Sequence, residues 1–354
     1  MKKFVLLAAA AAALAGCAKT TISGNTADQA EITYEVAPLT KGLTDNQSAF
    51  SKNNVFASYA FYLPTGSWNY PTTADFYIGG TVNATSGAYE GVTVKWNTTA
   101  SAWKNPDKNY YWPKTGSLTF FAWTLNKADL KFTDTNTAIS CYPSTGIYCQ
   151  DYDVLKNKNI DFMVADIAED KKANENIYSY TGVPTLFHHK LSQFQATVCE
   201  KEAYTGVTFT LKSIKFNLAY LGMYFQNTDK TTAGSGLAAQ TYYSSTTGQV
   251  VNTTTATAVT GIDQYIYLPQ TFNGENDKNK TIEITYTIAY DTNGDNTPDV
   301  TETVTATKKL SEIFGTAWEM GKKYTLNLTF SVDQILWDPA VEDWVGVSKN
   351  VTVI

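Results

Sequence analysis

The chain has 354 residues, with 33 acidic residues, 27 lysines and no arginine, and its formal net charge is −6. Nucleic acid is excluded as a partner because phosphate binding needs clustered lysine or arginine. Sites in which an arginine binds a carboxylate or phosphate through two parallel hydrogen bonds are excluded as well. The 23 tyrosines, 17 phenylalanines and 8 tryptophans are typical of strand-rich proteins, and the length fits two domains or one large β-domain.

The N-terminus has the pattern of an export signal. Two lysines are followed by an apolar run as far as Leu14 and then by small residues, which predicts a signal peptide over residues 1–16. The run is too short for a membrane span, which needs about 20 apolar residues. Leu-Ala-Gly-Cys17 resembles the bacterial lipobox and implies lipid attachment at Cys17, with residues 17–29 as a lipidated tether. The alternative is an ordinary secretory signal beside an unrelated cysteine.

The rest of the sequence predicts strands and almost no helix. Apolar residues alternate strictly along Thr281–Tyr290 and Lys323–Val332, as in half-buried strands. Further strands are predicted at Gly91–Trp96, Leu118–Trp123, Val207–Leu211 and Ser213–Phe225. Many short strands between Gly, Asn and Pro turns favour an all-β protein built from β-sandwiches.

The segments between these strands predict the remaining organisation. Thr231–Gly261 is interpreted as long hairpin loops or as an edge strand. Ala168–Asn176 is interpreted as a charged loop and Lys309–Phe314 as a single helical turn. A break near Pro184–Leu191 divides the chain into an N-terminal domain over 30–187 and a C-terminal domain over 188–354. 

Cysteine and histidine offer few sites for chemistry. Cys141 and Cys149 lie close together in a loop-like stretch and could close a small disulfide in an oxidising compartment, or both stay reduced. His188 and His189 would face opposite sides of a strand, so they cannot readily share one metal ion. The cysteines and histidines have neither the spacing of a zinc site nor that of a catalytic triad. We therefore expect that the protein is not an enzyme.

One loop has the spacing of a calcium site. Oxygen-bearing side chains recur between residues 291 and 302 as in an EF-hand loop, although asparagine and proline replace residues typical of such loops. The candidate ligands are Asp291, Asn293, Asp295, Asp299 and Glu302. A structural calcium ion is thus the one cofactor considered, and a hairpin turn rich in Asn, Gly and Asp is the alternative.

Aromatic residues suggest a second function. Such residues could form a platform for sugars, although in a sandwich they more often belong to the core. The candidates are Trp68, Tyr70, Tyr110, Tyr111, Trp112 and Trp123. They support the alternative of a monomeric, outer-membrane, glycan-binding lipoprotein.

Several segments, in order, resemble the fimbrillin family of Bacteroidetes. They are Asn109–Pro113 (Asn-Tyr-Tyr-Trp-Pro), Gly116–Trp123, Asp161–Ala165, Val183–Phe194, Trp318–Leu326 and the closing Val341–Trp344. The resemblance covers most of the mature chain and implies two transthyretin-like β-sandwich domains in tandem. It also implies a structural and adhesive lipoprotein subunit of a type V pilus, at the outer membrane or cell surface.

The resemblance further implies assembly by donor-strand exchange with other pilus subunits. A strand within Glu31–Val36 would be removed by proteolysis, and a strand of another subunit would fill the groove. Family members are often cut after an arginine, which this chain lacks, so Lys41 is the candidate cleavage site. The candidate donor strand is Ser348–Ile354, whose apolar residues are Val351, Val353 and Ile354. A tip, anchor or minor subunit fits as well as a stalk subunit, and the surface ligand, host or bacterial, is not specified.

Overall fold

A computed structural model describes residues 30–36, 50–125, 127–173, 182–274 and 277–344. The regular secondary structure of these residues is almost entirely β-strand, which confirms the predicted all-β class. The helical turn predicted at Lys309–Phe314 is confirmed as helix α1, Leu310–Phe314. A 3-10 turn lies at Gln226–Thr228. Within the described residues, no helix has the length and apolar character needed to cross a membrane.

In the described part of the chain, fourteen strands precede residue 190 and thirteen follow it. The first group is β1 Tyr34–Val36, β2 Phe56–Leu63, β3 Asp75–Ile78, β4 Thr81–Val82, β5 Tyr89–Glu90, β6 Val92–Asn97, β7 Ala102–Lys104, β8 Ser117–Thr124, β9 Ala138–Tyr142, β10 Gly146–Asp153, β11 Met163–Ala165, β12 Ala168–Lys171, β13 Val183–Thr185 and β14 Phe187–His189. The second group is β15 Ser192–Glu200, β16 Val207–Ala219, β17 Leu221–Phe225, β18 Lys230–Ala233, β19 Leu237–Val251, β20 Thr257–Ala258, β21 Ile266–Tyr267, β22 Gln270–Thr271, β23 Thr281–Tyr290, β24 Val300–Lys309, β25 Ala317–Trp318, β26 Lys322–Phe330 and β27 Ile335–Asp343.

The N-terminal half is organised around one large folded sheet. Its strands run in the order β13-β1-β7-β6-β2-β8-β11-β14, with β3 beside β2 and β12 beside β8. Side chains from β1, β7 and β13 share one buried cluster with side chains from β2, β8 and β14, so the sheet must fold back over itself. A second cluster covers the other face of β2 and β8. Because β8 is covered on both faces, all eight of its residues are buried, and its central residues are mostly apolar on both faces.

The second cluster is closed by strands from both halves of the chain. A four-stranded sheet has the order β18-β17-β10-β9, and β17 pairs antiparallel with β10, with Phe225 opposite Tyr148. The strand predicted over Ser213–Phe225 is therefore two strands, because the chain leaves one sheet after Ala219 and joins another at Leu221. The alternation of more and less buried residues continues from β16 into β17, and the sequence pattern does not reveal that the chain changes sheets.

The C-terminal half encloses a third core between two sheets. One has the order β20-β15-β26-β27 with β21 beside β15, and the other has the order β19-β16-β23-β24. Inward residues of β23 and β26 alternate with less buried ones, as the sequence predicted. The segment from Thr231 contains β19, an edge strand of 15 residues, which was one of its two predicted forms. The prediction of a loop from Ala168 was wrong in part, since β12 pairs with β8 there.

Candidate assembly site

Strand β1 is inserted between two strands from distant parts of the chain. It pairs in parallel with β13 and antiparallel with β7, so that Tyr34 lies opposite both Val183 and Trp103. β13 ends this side of the sheet. Its central residue, Pro184, lacks a backbone N–H, which suits a strand at a sheet edge. β1 is thus an interior strand whose outer neighbour is a single three-residue strand.

Backbone hydrogen bonds hold this segment on both sides. The N–H of Ile32 donates to the carbonyl of Tyr110 at 2.7 Å, and the N–H of Val183 donates to the carbonyl of Thr33 at 2.7 Å. The covalent link from β1, which ends at Val36, to β2, which begins at Phe56, runs through residues 37–55. If the chain were cut within that link, only non-covalent contacts would hold the strand in the sheet.

The side chains of this segment enter the core of the N-terminal half. Ile32 is 3% exposed and Tyr34 is 6% exposed. The ring of Tyr34 packs edge-to-face on Phe56 and Phe120, at centroid distances of 5.3 and 6.1 Å. Burial raises the pKa of the Tyr34 hydroxyl above its ordinary value, and a hydrogen bond with Ser58 opposes part of that rise. The Tyr34 side chain therefore fills a pocket lined by aromatic rings.

Two further features fit the groove to this segment. Lys104 of β7 is largely buried and forms an ion pair with Glu31. Gly182 lies so close to β1 that an added Cβ atom would come within 2.7 Å of the carbonyl carbon of Tyr34. A side chain at position 182 would therefore push the inserted strand out of register.

The sequence did not identify the residues that line this groove. Trp103, Lys104 and Gly182 belong to no motif by themselves, and their common neighbour is β1, which lies far away in sequence. The one local signal is Pro184 within an apolar stretch, because proline in a strand marks an edge. The strand predicted within Glu31–Val36 is present as β1.

Other predicted assembly residues lie outside the described part of the chain. They are Cys17, Lys41, Val351, Val353 and Ile354. Lipid attachment, cleavage and strand donation at these positions stay predictions.

The fimbrillin-like family model matches residues 65–344. The chain belongs to the fimbrillin-like family. A fimbrial protein from Bacteroides vulgatus has a similar structure, with 17% identity and a TM-score of 0.57, over 89% of this chain and 99% of the other. A protein proposed to act in cell adhesion, from Bacteroides uniformis, shares 16% identity with a TM-score of 0.50, over 91% of this chain and 100% of the other. No curated protein matches the sequence.

These likenesses show the fold, and the family gives the broad class of function. Membership of the fimbrillin-like family indicates a structural protein. The structural relatives are too distant in sequence to carry over individual residue roles.

The junction between the two halves of this fimbrillin-like protein contains a buried polar pair. The Nδ1 atom of His189 lies 2.7 Å from a carboxylate oxygen of Asp161, and both side chains are buried. Trp344 stacks on the His189 ring at 4.1 Å. His188 instead points outward and pairs with Asp166 at 3.0 Å. The expected opposite orientation of the two histidines is confirmed. Through its contact with Trp344, which directly follows β27, His189 connects the end of the described chain to the N-terminal half.

Four of the five candidate calcium ligands lie in the loop between β23 and β24. The Asp291 carboxylate accepts hydrogen bonds at 2.7 and 2.8 Å from backbone N–H groups of this loop. Asp299 accepts two from Thr292, and these bonds, the side-chain one foremost, hold the pKa of Asp299 below its usual value. Glu302 lies apart, exposed on β24. Among the described residues, no three His, Cys, Asp or Glu side chains are arranged to hold a metal ion, and calcium binding stays a prediction.

The candidate disulfide residues lie on neighbouring strands. Cys141 of β9 is opposite Ile147, and Cys149 of β10 is opposite Ile139, so the two cysteines are diagonal neighbours. Diagonal Cα atoms are about 7–8 Å apart in such a pair, beyond the usual span of a disulfide. Both thiols are free and buried. A disulfide between them would require the backbone to move.

The candidate sugar platform is largely part of the protein interior. Trp68 and Trp123 are 6% and 7% exposed and belong to the core shared by both halves. Tyr110 and Trp112 pack against the core around β1, whereas Tyr111 is exposed. The six residues therefore do not form one exposed surface, and the glycan-binding alternative gains no support from them.

Proposed function

We propose that this fimbrillin-like protein is a structural and adhesive subunit of a cell-surface type V pilus that assembles by donor-strand exchange. The observation that carries the proposal is β1, a three-residue strand bonded on both sides and buried in the core. Cleavage between residues 37 and 49, with Lys41 as the candidate site, would free this strand. A strand of another subunit would then add to β7 and β13 by β-augmentation.

The energetics favour refilling of the groove. Without β1, the edges of β7 and β13 lose their hydrogen-bond partners, and Tyr34 no longer covers Phe56 and Phe120. Unpaired strand edges and exposed apolar surface both favour association with another strand. An emptied groove would therefore bind a new strand tightly and hold it for long periods.

Lipid anchoring and cleavage would bring the subunit to the cell surface and then release it for assembly. The lipobox at Cys17 would anchor the exported protein to the outer membrane until cleavage removes the anchor together with β1. Val351, Val353 and Ile354 are the candidate residues for donation to the next subunit. An uncut protein would stay lipid-bound, as suits an anchor subunit.

The test is expression of the tagged full chain in a Bacteroides host. We expect a surface-exposed protein, an N-terminus within residues 37–49 by mass spectrometry, and ladders that disappear on heating in detergent. The variant Lys41→Ala tests the cleavage site, and Lys52→Ala is its control because it changes the other lysine between β1 and β2. A full-length, lipid-bound monomer in every preparation would contradict the proposal.

A further inference from the structure

We infer that the groove between β7 and β13 selects a donor strand with the pattern acidic, aliphatic, any residue, aromatic. Its occupant is then a strand of a different polypeptide rather than the C-terminal strand of a second copy of this chain. This inference rests on the proposed strand exchange and adds which strand fits. It follows from the pocket of Tyr34, the ion pair of Lys104, and the residues that this chain could itself donate.

The pocket of Tyr34 is shaped for an aromatic ring. Phe56 and Phe120 offer edge-to-face contacts, and Trp103 lies opposite on β7. A smaller aliphatic residue would leave a cavity in a dry core and would lose these ring contacts.

Lys104 sets the requirement for an acidic residue. Its side chain is 14% exposed and is paired with Glu31, one residue before the buried Ile32. A largely buried cation that loses its partner is costly. A donor with a carboxylate directly before its aliphatic residue keeps the pair, and a neutral or basic residue there does not.

The C-terminal segment of this chain fits the groove poorly. Placing Val351 and Val353 at the two buried positions puts a valine in the aromatic pocket. The same register places Asn350 beside Lys104, with Lys349 next to it. A shift by two residues would instead bury Lys349 at a core position. The segment therefore lacks both the aromatic ring and the acidic residue.

Peptide exchange into the full-length protein tests this inference. A protease site inserted after Lys41 allows the link to be cut while β1 stays bound. Fluorescent peptides then compete with β1, and their binding is followed by anisotropy. The set contains the peptide of residues 29–37, its Tyr34→Val and Glu31→Lys variants, and an Ala30→Ser control at an exposed position. It also contains the Ser348–Ile354 peptide with and without Val353→Tyr and Asn350→Glu.

We expect the Tyr34→Val and Glu31→Lys peptides to bind at least about tenfold more weakly than the unchanged peptide, and the control to bind equally. The doubly changed C-terminal peptide should gain at least about tenfold over its parent. Protein carrying Lys104→Glu should reverse the preference at the acidic position. If the unchanged C-terminal peptide binds as tightly as residues 29–37, the inference is overturned although strand exchange stands. If no peptide enters the cut protein, strand exchange itself falls.

Discussion

Replacing Tyr34 by alanine should detach β1 without unfolding the rest of the protein. Tyr34 is 6% exposed, so it buries nearly all of an aromatic side chain, about 150–250 Å². At about 25 cal/mol per Å² this corresponds to about 4–6 kcal/mol, and comparable replacements of buried aromatic residues by alanine cost about 3–5 kcal/mol. We expect docking of β1 to weaken by about 4 kcal/mol, which raises the opening equilibrium about a thousandfold.

Hydrogen exchange with mass spectrometry measures this loss. The N–H groups of Ile32 and Val183 bond across the two sides of β1, and they should exchange about a thousandfold faster in Tyr34→Ala. Amides of β23, in the other half, should keep their protection. Tyr111→Ala is the matched control, because Tyr111 is 42% exposed and its loss should change neither region. Equal loss of protection in β1 and β23 would refute the reasoning, since β1 would then not be a separable strand.

Three other predictions concern features away from the groove. Burial raises the pKa values of Cys141 and Cys149, so neither should react with a thiol reagent at pH 8 until the protein is denatured; a pair that stays unreactive after denaturation would instead be a disulfide. The lowered pKa of Asp299 stabilises its loop above about pH 4, and this contribution should fade as the pH falls through the folded-state pKa. The loop amides should then show smaller protection factors in acid, after correction for the pH dependence of intrinsic exchange, and unchanged protection factors would contradict the prediction. Trp344→Ala should lower the free energy of unfolding in urea by about 1–2 kcal/mol through lost stacking on the junction histidine, whereas an unchanged midpoint would show that the stacking contributes nothing.

The sequence predicted strands where alternation was long and one face was buried. Thr281–Tyr290 matches β23, and Lys323–Val332 corresponds closely to β26. The buried run at residues 118–123 lies within β8, which is covered on both faces and is apolar there except at Thr119. In these strands the local pattern and the tertiary environment demand the same residues, so the pattern suffices.

The groove and the change of sheet at Tyr220 depend on pairings between distant segments. β1 lies beside β13, which begins at Val183, and nothing in either short strand encodes that choice of partner. β17 keeps the same alternation as β16 although it belongs to another sheet. Gly182 and Lys104 have roles because they contact the β1 segment, which is distant in sequence, so the sequence alone does not predict these roles.

The central claim is that the strand between β7 and β13 comes from another subunit in the assembled form. A photo-reactive benzophenone amino acid in place of Trp103, which lies opposite Tyr34, reports directly on that neighbour. Assembled protein would be irradiated, digested and sequenced by mass spectrometry. We predict crosslinks to a peptide of another chain, with residues 31–36 lost. Crosslinks to residues 31–36 of the same chain in the assembled protein would contradict strand exchange.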